Sequence, residues 1–314
     1  MKVLVTGGAG FIGSNVCRRL ATRPEVTEIV AFDDLSTGFE SNLADCAAVR
    51  LVVGDVRDGA AVRAAADGAR AIVHLAARPS VPLSIADPIA SHHVNVTGTV
   101  EVLQSARQTG AYVIVASSSA VYGDSPISPK HEQLAVQPMS PYGVTKVATE
   151  GYAAAYQYSF DVPTLALRFF NVYGPGQPAG HAYAAVVPAF VSAALSGQPL
   201  QIFGDGRQIR DFVFVDTVAD ALTEAVLRRV TSPGPVNLAT GEPTDLLTVV
   251  RELEEVLGRD LELEFLDARV GDIVDSRADP TTFRDLFPAV VPVERRTGLR
   301  LTVQWWQRRL GILG

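Results

Sequence analysis

The 314-residue chain is 47% hydrophobic and 19% charged, which is ample apolar material for one large domain or two and too much for a disordered polymer. Its net charge of −7 argues against a nucleic-acid partner held by a broad basic field, and no uncharged run of about 18 apolar residues suggests a membrane span. Met1 leads straight into KVLVTG without the pattern of a secretory leader, so a cytoplasmic location is expected, with Cys17 and Cys46 as reduced thiols.

Apolar, β-branched runs recur at KVLVT (2–6), EIVAF (28–32), VRLVV (49–53), AIVHL (71–75), YVIVA (112–116) and VPTLALRFF (162–170). Segments of helical character lie between most of them, at 11–22, 58–67 and, longer, 88–109. Strands alternating with helices predict an α/β fold, a doubly wound parallel sheet with helices on both faces. After Asn171 the texture changes: NVYGPGQPAG (171–180) is rich in Gly and Pro, a helical stretch follows at 184–196, and QPLQIFGDGRQIRDFVFVD (198–216) leads onward. No repeat or flexible linker separates the parts, which predicts two tightly packed lobes.

TGGAGFIG (6–13) sets Gly7, Gly10 and Gly13 directly after the first strand and at the start of the first helix. Such glycines permit a tight turn, close approach of a pyrophosphate to the backbone and close helix–strand packing, while the helix N-terminus favours negative charge. Asp33 ends the next strand twenty residues after Gly13, where a carboxylate can accept from ribose hydroxyls. Asp34 follows it, and neither position offers an arginine to a 2′-phosphate, so NAD is expected over NADP. Asp55 in GDV (54–56) could bond an adenine amino group or be an ordinary loop aspartate. Farther on, SPYGVTK (140–146) puts Tyr142 and Lys146 one helical turn apart, behind a proline suited to a first turn.

Together with SSSAVYG (117–123), RFFNVYGP (168–175), RQIRDFVFVDTVADA (207–221), NLATGEP (237–243) and RVGDIVDSRAD (269–279), these motifs resemble the extended short-chain dehydrogenase/reductase family, in particular nucleotide-sugar 4-epimerases, over almost the whole chain. The resemblance implies a Rossmann-type NAD-binding unit at 1–170, rejoined by about 209–238, and a smaller mixed α/β substrate lobe at 171–314. It also implies a homodimer joined through helices near 88–109 and 142–160.

Within that family pattern Tyr142 is the catalytic base. An unperturbed tyrosine, with a pKa near 10, is a poor base at neutral pH, and lowering it by ~3 units requires about 4 kcal/mol in favour of phenolate. Lys146 and the positive nicotinamide ring are expected to supply this. The resemblance also makes Lys146 a donor to the nicotinamide ribose and Ser118 the hydroxyl that bonds the reacting sugar oxygen, with Ser119 beside it. It extends the cofactor site to Phe11 and Ile12, to Ser36, Thr37 and Gly38, to Val56, to Leu75, Ala76 and Ala77, and to Asn95 and Phe170.

On the substrate side the resemblance assigns Asn171, Arg210 and Arg269 to a diphosphate, Gln201, Ile202 and Phe203 to a uracil, Asp272 to a ribose, and Ala185 and Val186 to a stretch over the nucleotide. The guanidinium fork suits the diphosphate. Ser276 falls where some relatives carry a tyrosine beside the sugar 2-substituent, so N-acetylated UDP-hexoses are expected substrates along with the plain ones. Dehydratases of the family carry acids between the serine and VYG, and related decarboxylases a glutamate directly before VYG. Ser119 and Ala120 stand here instead, which favours redox-neutral C4 inversion of a UDP-sugar. The alternatives are a UDP-glucuronate 4-epimerase, although 175–187 holds no arginine for a sugar carboxylate, and a dehydratase or reductase of the same family. A non-catalytic NAD-binding regulator would be expected to lose Ser118, Tyr142 or Lys146, and this chain keeps all three. His74, His92 and His93 lack metal-ligand spacing and read as packing or surface residues, so no metal is expected.

Overall fold

The structure, a computed structural model, describes residues 1–179, 185–268 and 273–312. The first half runs β1 (Lys2–Thr6), α1 (Phe11–Ala21), β2 (Glu28–Asp33), β3 (Val49–Val53), α2 (Gly59–Ala66) and β4 (Ala69–His74). It continues through α3 (Val81–Ala86), α4 (Pro88–His92), α5 (Gly98–Thr109), β5 (Tyr112–Ser118), α6 (Pro141–Phe160) and β6 (Thr164–Phe169). The second half adds β7 (Asn171–Tyr173), α7 (Val186–Leu195), β8 (Leu200–Phe203), β9 (Ile209–Phe214), α8 (Val215–Arg228) and β10 (Val236–Leu238). It ends with β11 (Pro243–Asp245), α9 (Leu246–Leu257), β12 (Leu263–Leu266), β13 (Asp275–Ser276), α10 (Thr281–Leu286) and α11 (Arg295–Arg309). Among the described residues no helix is long and apolar enough to cross a membrane.

Seven parallel strands form the main sheet in the order β10-β6-β5-β4-β1-β2-β3. Its central strands are unbroken apolar runs because helices cover both faces, and each face has its own buried cluster. The strand order reverses between β1 and β4, which opens a crevice at their carboxyl ends, the usual ligand position in such sheets. The segment 88–109 is helical throughout, as expected, but a wide π turn at His93–Thr97 interrupts the α geometry between α4 and α5, and Asn95 within it is buried.

The second lobe has its own core and two small sheets, β11-β9-β13 with β7 against β9, and β12 against β8. Of the segment 209–238, only α8 and β10 return to the main sheet; β9 pairs in the small one. The chain thus crosses between sheets at Thr240–Gly241, and Asp211 of β9 holds that crossing. Its fully buried carboxylate accepts from the amide and hydroxyl of Thr240 (2.8 and 2.9 Å) and from the amide of Gly241 (2.7 Å). Asp211→Ala strands these donors and should lower unfolding free energy by about 2–4 kcal/mol in urea titrations; a loss below about 1 kcal/mol would show that the crossing holds without it.

Candidate active site

The turn after β1 is built for close approach. Gly7 adopts a left-handed φ of +68°, and a β-carbon at Gly13 would stand 2.1 Å from the Gly7 carbonyl oxygen, so α1 can start this near the turn only with glycine there. Gly10 caps α1 without a side chain, the first turn carries no acid, and a β-carbon at Gly10 would meet only the Gly7 oxygen, at 3.2 Å. The helix start with Phe11, Ile12 and Gly13 therefore presents amides into open space, a donor set that fits the pyrophosphate of a dinucleotide. Asn15 of α1 donates to the Pro175 carbonyl at 3.0 Å and so ties the loop after β7 to this end of the helix.

Asp33 lies at the end of β2 as expected, but its carboxylate also braces the turn: it accepts from the amides of Ala9 and Leu35, both at 2.9 Å. Burial raises its pKa and these bonds oppose the rise. A carboxylate has about four acceptor sites, so room remains for ribose hydroxyls. Gly38 packs on it, while Asp34, Ser36 and Thr37 are exposed and Asp34 accepts from the amide and hydroxyl of Ser36. Asp55 is held by Arg57 through its backbone amide and guanidinium, which lowers its pKa. Val56 packs against Gly98, and Leu75 and Ala76 meet the Gly7 turn. Phe170 is buried beside Tyr122.

Ser140 caps α6 by accepting from the Gly143 amide at 3.1 Å, with Pro141 in the first turn. Tyr142 and Lys146 then share the face turned toward the end of β5. The Ser118 hydroxyl hydrogen-bonds the Tyr142 phenol, and the Tyr142 amide is held by Ser84 at 3.0 Å. Lys146 donates to the Ala116 carbonyl at 2.8 Å, and its ammonium lies 5.8 Å from the centre of the Tyr142 ring.

Burial pushes the Tyr142 phenol above its ordinary pKa, and the Ser118 hydrogen bond only partly opposes it. Burial also pulls Lys146 down to about 8, with the Glu150 charge acting the other way. Lowering the phenol therefore calls on the positive nicotinamide ring together with Lys146, the two charges expected to supply it.

Glu150 was missed in the sequence, although it stands four residues after Lys146, the same spacing that pairs Lys146 with Tyr142. It receives two bonds from Arg168 of β6, both at 2.8 Å, and one from Ser117 of β5 at 2.5 Å. The side chains of this pair are only 10% and 3% exposed.

Of the substrate-side residues, Arg210 and Ser276 are strand partners across β9 and β13, so a charged and a small residue stand side by side. Asn171 donates to the Asp211 carbonyl at 3.1 Å and so braces β7 on β9. Gln201 is exposed and bonds Glu264, Phe203 is partly buried, and the Ile202 side chain belongs to the lobe core, which leaves only its backbone for a base. Ala185 and Val186 begin α7. Arg269 and Asp272 lie outside the described residues. Asn95 has both amide atoms bonded inside the protein, accepting from the Arg78 amide at 2.7 Å and donating to Thr145 at 3.0 Å, and so braces α6 against the segment after β4.

The profile of the NAD dependent epimerase/dehydratase family matches residues 3–239. The UDP-glucose 4-epimerase of Mycolicibacterium smegmatis is 36% identical, over 98% of this chain and 99% of that protein. Among solved structures, the UDP-N-acetylglucosamine 4-epimerase of Methanobrevibacter ruminantium M1, in complex with UDP-N-acetylmuramic acid, is similar with a TM-score of 0.92 at 34% identity, covering 98% of each chain. The UDP-glucose 4-epimerase of Thermotoga maritima, with UDP-glucose, has a TM-score of 0.92 at 31% identity, covering 99% of this chain and 100% of that one.

Proposed function

The chain belongs to the NAD-dependent epimerase/dehydratase family, and from that premise we propose that it inverts C4 of a UDP-hexose through a transient 4-keto sugar. The observation that carries this reading is the meeting of Ser118, Tyr142 and Lys146 at the end of β5, with Ser119 and Ala120 where an eliminating enzyme needs carboxyl groups. Glu150, the acid on the same face of α6, is engaged by Arg168 and Ser117 and is not free to act as a proton donor.

NAD, held by the glycine turn and Asp33, supplies a reversible hydride acceptor and a positively charged ring that favours a nearby phenolate. Tyr142 takes the proton of the C4 hydroxyl as C4 becomes a carbonyl, and Ser118 hydrogen-bonds the same oxygen. After the keto sugar turns over, Tyr142 returns the proton on the other face. Lys146 keeps a cation beside the ring, and Arg210 meets the diphosphate.

Ser276 supports acceptance of a 2-acetamido group, since selectivity there is first a question of volume. It is 8% exposed, next to Arg210 on the neighbouring strand. The outward face of α6 supports a homodimer: Val144, Gly151, Tyr152 and Ala155 form an exposed stripe at helical spacing, and Ile89 of the adjoining α4 is 67% exposed beside it.

Tyr142→Phe keeps the ring and removes the proton carrier, so it should retain bound NAD and lose at least ~100-fold in turnover, read by NMR of UDP-hexose products; near-normal turnover would take Tyr142 out of the mechanism. Ser276→Tyr should suppress interconversion of UDP-N-acetylglucosamine and UDP-N-acetylgalactosamine while sparing UDP-glucose and UDP-galactose, and equal loss on both pairs would sink the volume argument. Val144→Glu with Tyr152→Glu should give a monomer in sedimentation equilibrium from a dimeric parent; a monomeric parent, or a dimer that survives both changes, would place the interface elsewhere.

A further inference from the structure

His74 is the last residue of β4, and both of its ring nitrogens are partnered in a site closed to water. Nδ1 lies 2.7 Å from the Thr6 hydroxyl and Nε2 lies 3.1 Å from the Thr99 hydroxyl. Distances set the direction of each bond, since the Asn95 carbonyl is the nearest acceptor to the Thr99 hydroxyl at 2.6 Å, against 3.1 Å for Nε2 and 3.5 Å for the Thr149 hydroxyl. Thr99 gives its single hydroxyl hydrogen to the Asn95 carbonyl at 2.6 Å, so toward His74 it can only accept. Nε2 must therefore carry the ring proton, Nδ1 accepts, and Thr6 donates to it. Thr6 in turn accepts from the Ala76 amide at 3.3 Å.

The order continues beyond Asn95. Its side-chain amide donates to the Thr145 hydroxyl, and Thr145 donates to the carbonyl of Tyr142 at 2.7 Å. Thr6, His74, Asn95, Thr99 and Thr145 are all at most 3% exposed, so no competing water is needed to satisfy any of them. The two ends of this path matter. Thr6 and Ala76 flank the Gly7 turn, and Thr145 lies between Tyr142 and Lys146 on α6. The π turn at His93–Thr97 is what brings Asn95 to the junction.

We propose that His74, fixed as the neutral Nε2–H tautomer, is a positioning residue that holds the dinucleotide turn in register with the helix carrying Tyr142 and Lys146. The proposal rests on the reading that those two side chains are the reacting groups. Burial and the nearby Lys146 charge agree with it, because together they disfavour the imidazolium. An imidazolium would have to donate from both nitrogens, and the Thr6 hydroxyl would then lose its acceptor.

The test has two arms on the full chain. A long-range 1H–15N correlation spectrum at neutral pH, assigned with His74→Gln, should show His74 with its proton on Nε2 alone; a proton on Nδ1, or on both nitrogens, overturns the proposal. Thr6→Val and Thr99→Val keep the side-chain shape and cut the path at either side of the ring. Each should lower kcat about 10-fold or more with KM for the UDP-sugar little changed, and the double variant should be no slower than the worse single one, because both break the same path. Unchanged kcat in both, or losses that multiply, overturns the positioning role. The tautomer does not depend on turnover, so a wild-type protein inert toward UDP-sugars but showing the Nε2–H signal would count against the catalytic reading and for this assignment.

Discussion

The buried pair of Glu150 and Arg168 is the constraint on which the site depends. It locks the third turn of α6 to the ends of β5 and β6, and Tyr142, Lys146 and Glu150 recur every four residues along one face of that helix. Fixing one of the three in the sheet fixes the azimuth of the other two. Such a pair need not add net stability, since desolvating two charges offsets much of their attraction. Its value here is geometric: with Arg168 engaged at both guanidinium edges facing Glu150, α6 cannot roll without stranding a buried charge.

The same low-dielectric surroundings set up a contest over protons. Burial acts on Tyr142 and Lys146 in opposite senses, raising the phenol and lowering the ammonium, so each is pushed toward its neutral form. Glu150 counteracts the effect on Lys146 and keeps a cation near the ring. For the tyrosine, the Ser118 hydrogen bond works against burial without overcoming it. A base at this position thus needs a further positive charge close by, which makes base strength conditional on what occupies the crevice and keeps the phenol protonated otherwise.

Much of this was legible in the sequence because its causes are local. Alternating apolar runs and helical segments carry the sheet, and the glycines at 7, 10 and 13 need only the strand before them and the helix after them to make sense. The Tyr142–Lys146 pair follows from one helical turn. What escaped depends on partners brought together by the fold: Arg168 lies eighteen residues beyond Glu150, and His74 finds Thr6 and Thr99 at 68 and 25 residues' distance. Asp55 is bound by a partner that is near in sequence, Arg57 two residues on, a contact that periodicity and glycine spacing do not encode. The π turn inside 88–109 left no mark in periodicity, because one extra residue in a turn barely disturbs an apolar stripe.

The two lobes divide the work between elements that share few contacts. Tyr142, Lys146 and Ser118 stand on α6 and at the end of β5, whereas Ser276 and Arg210 stand on strands of the small sheet. Around Ser276 the wall is closed by the loop that follows Tyr122: the Lys130 amide donates to the Arg277 carbonyl at 2.9 Å, Asp279 donates back to the Lys130 carbonyl at 2.8 Å, and Ser128 bonds Asp275 at 3.0 Å. Lys130 itself is buried with its ammonium on the carbonyls of Ser125 and Ile127, so the loop is held from within as well. Volume at position 276 is therefore bounded by backbone that is pinned on both sides and cannot easily give way to a larger side chain. None of these contacts runs through Tyr142, Lys146 or Glu150, so a change of side chain at β13 leaves the hydrogen bonds that hold α6 as they are.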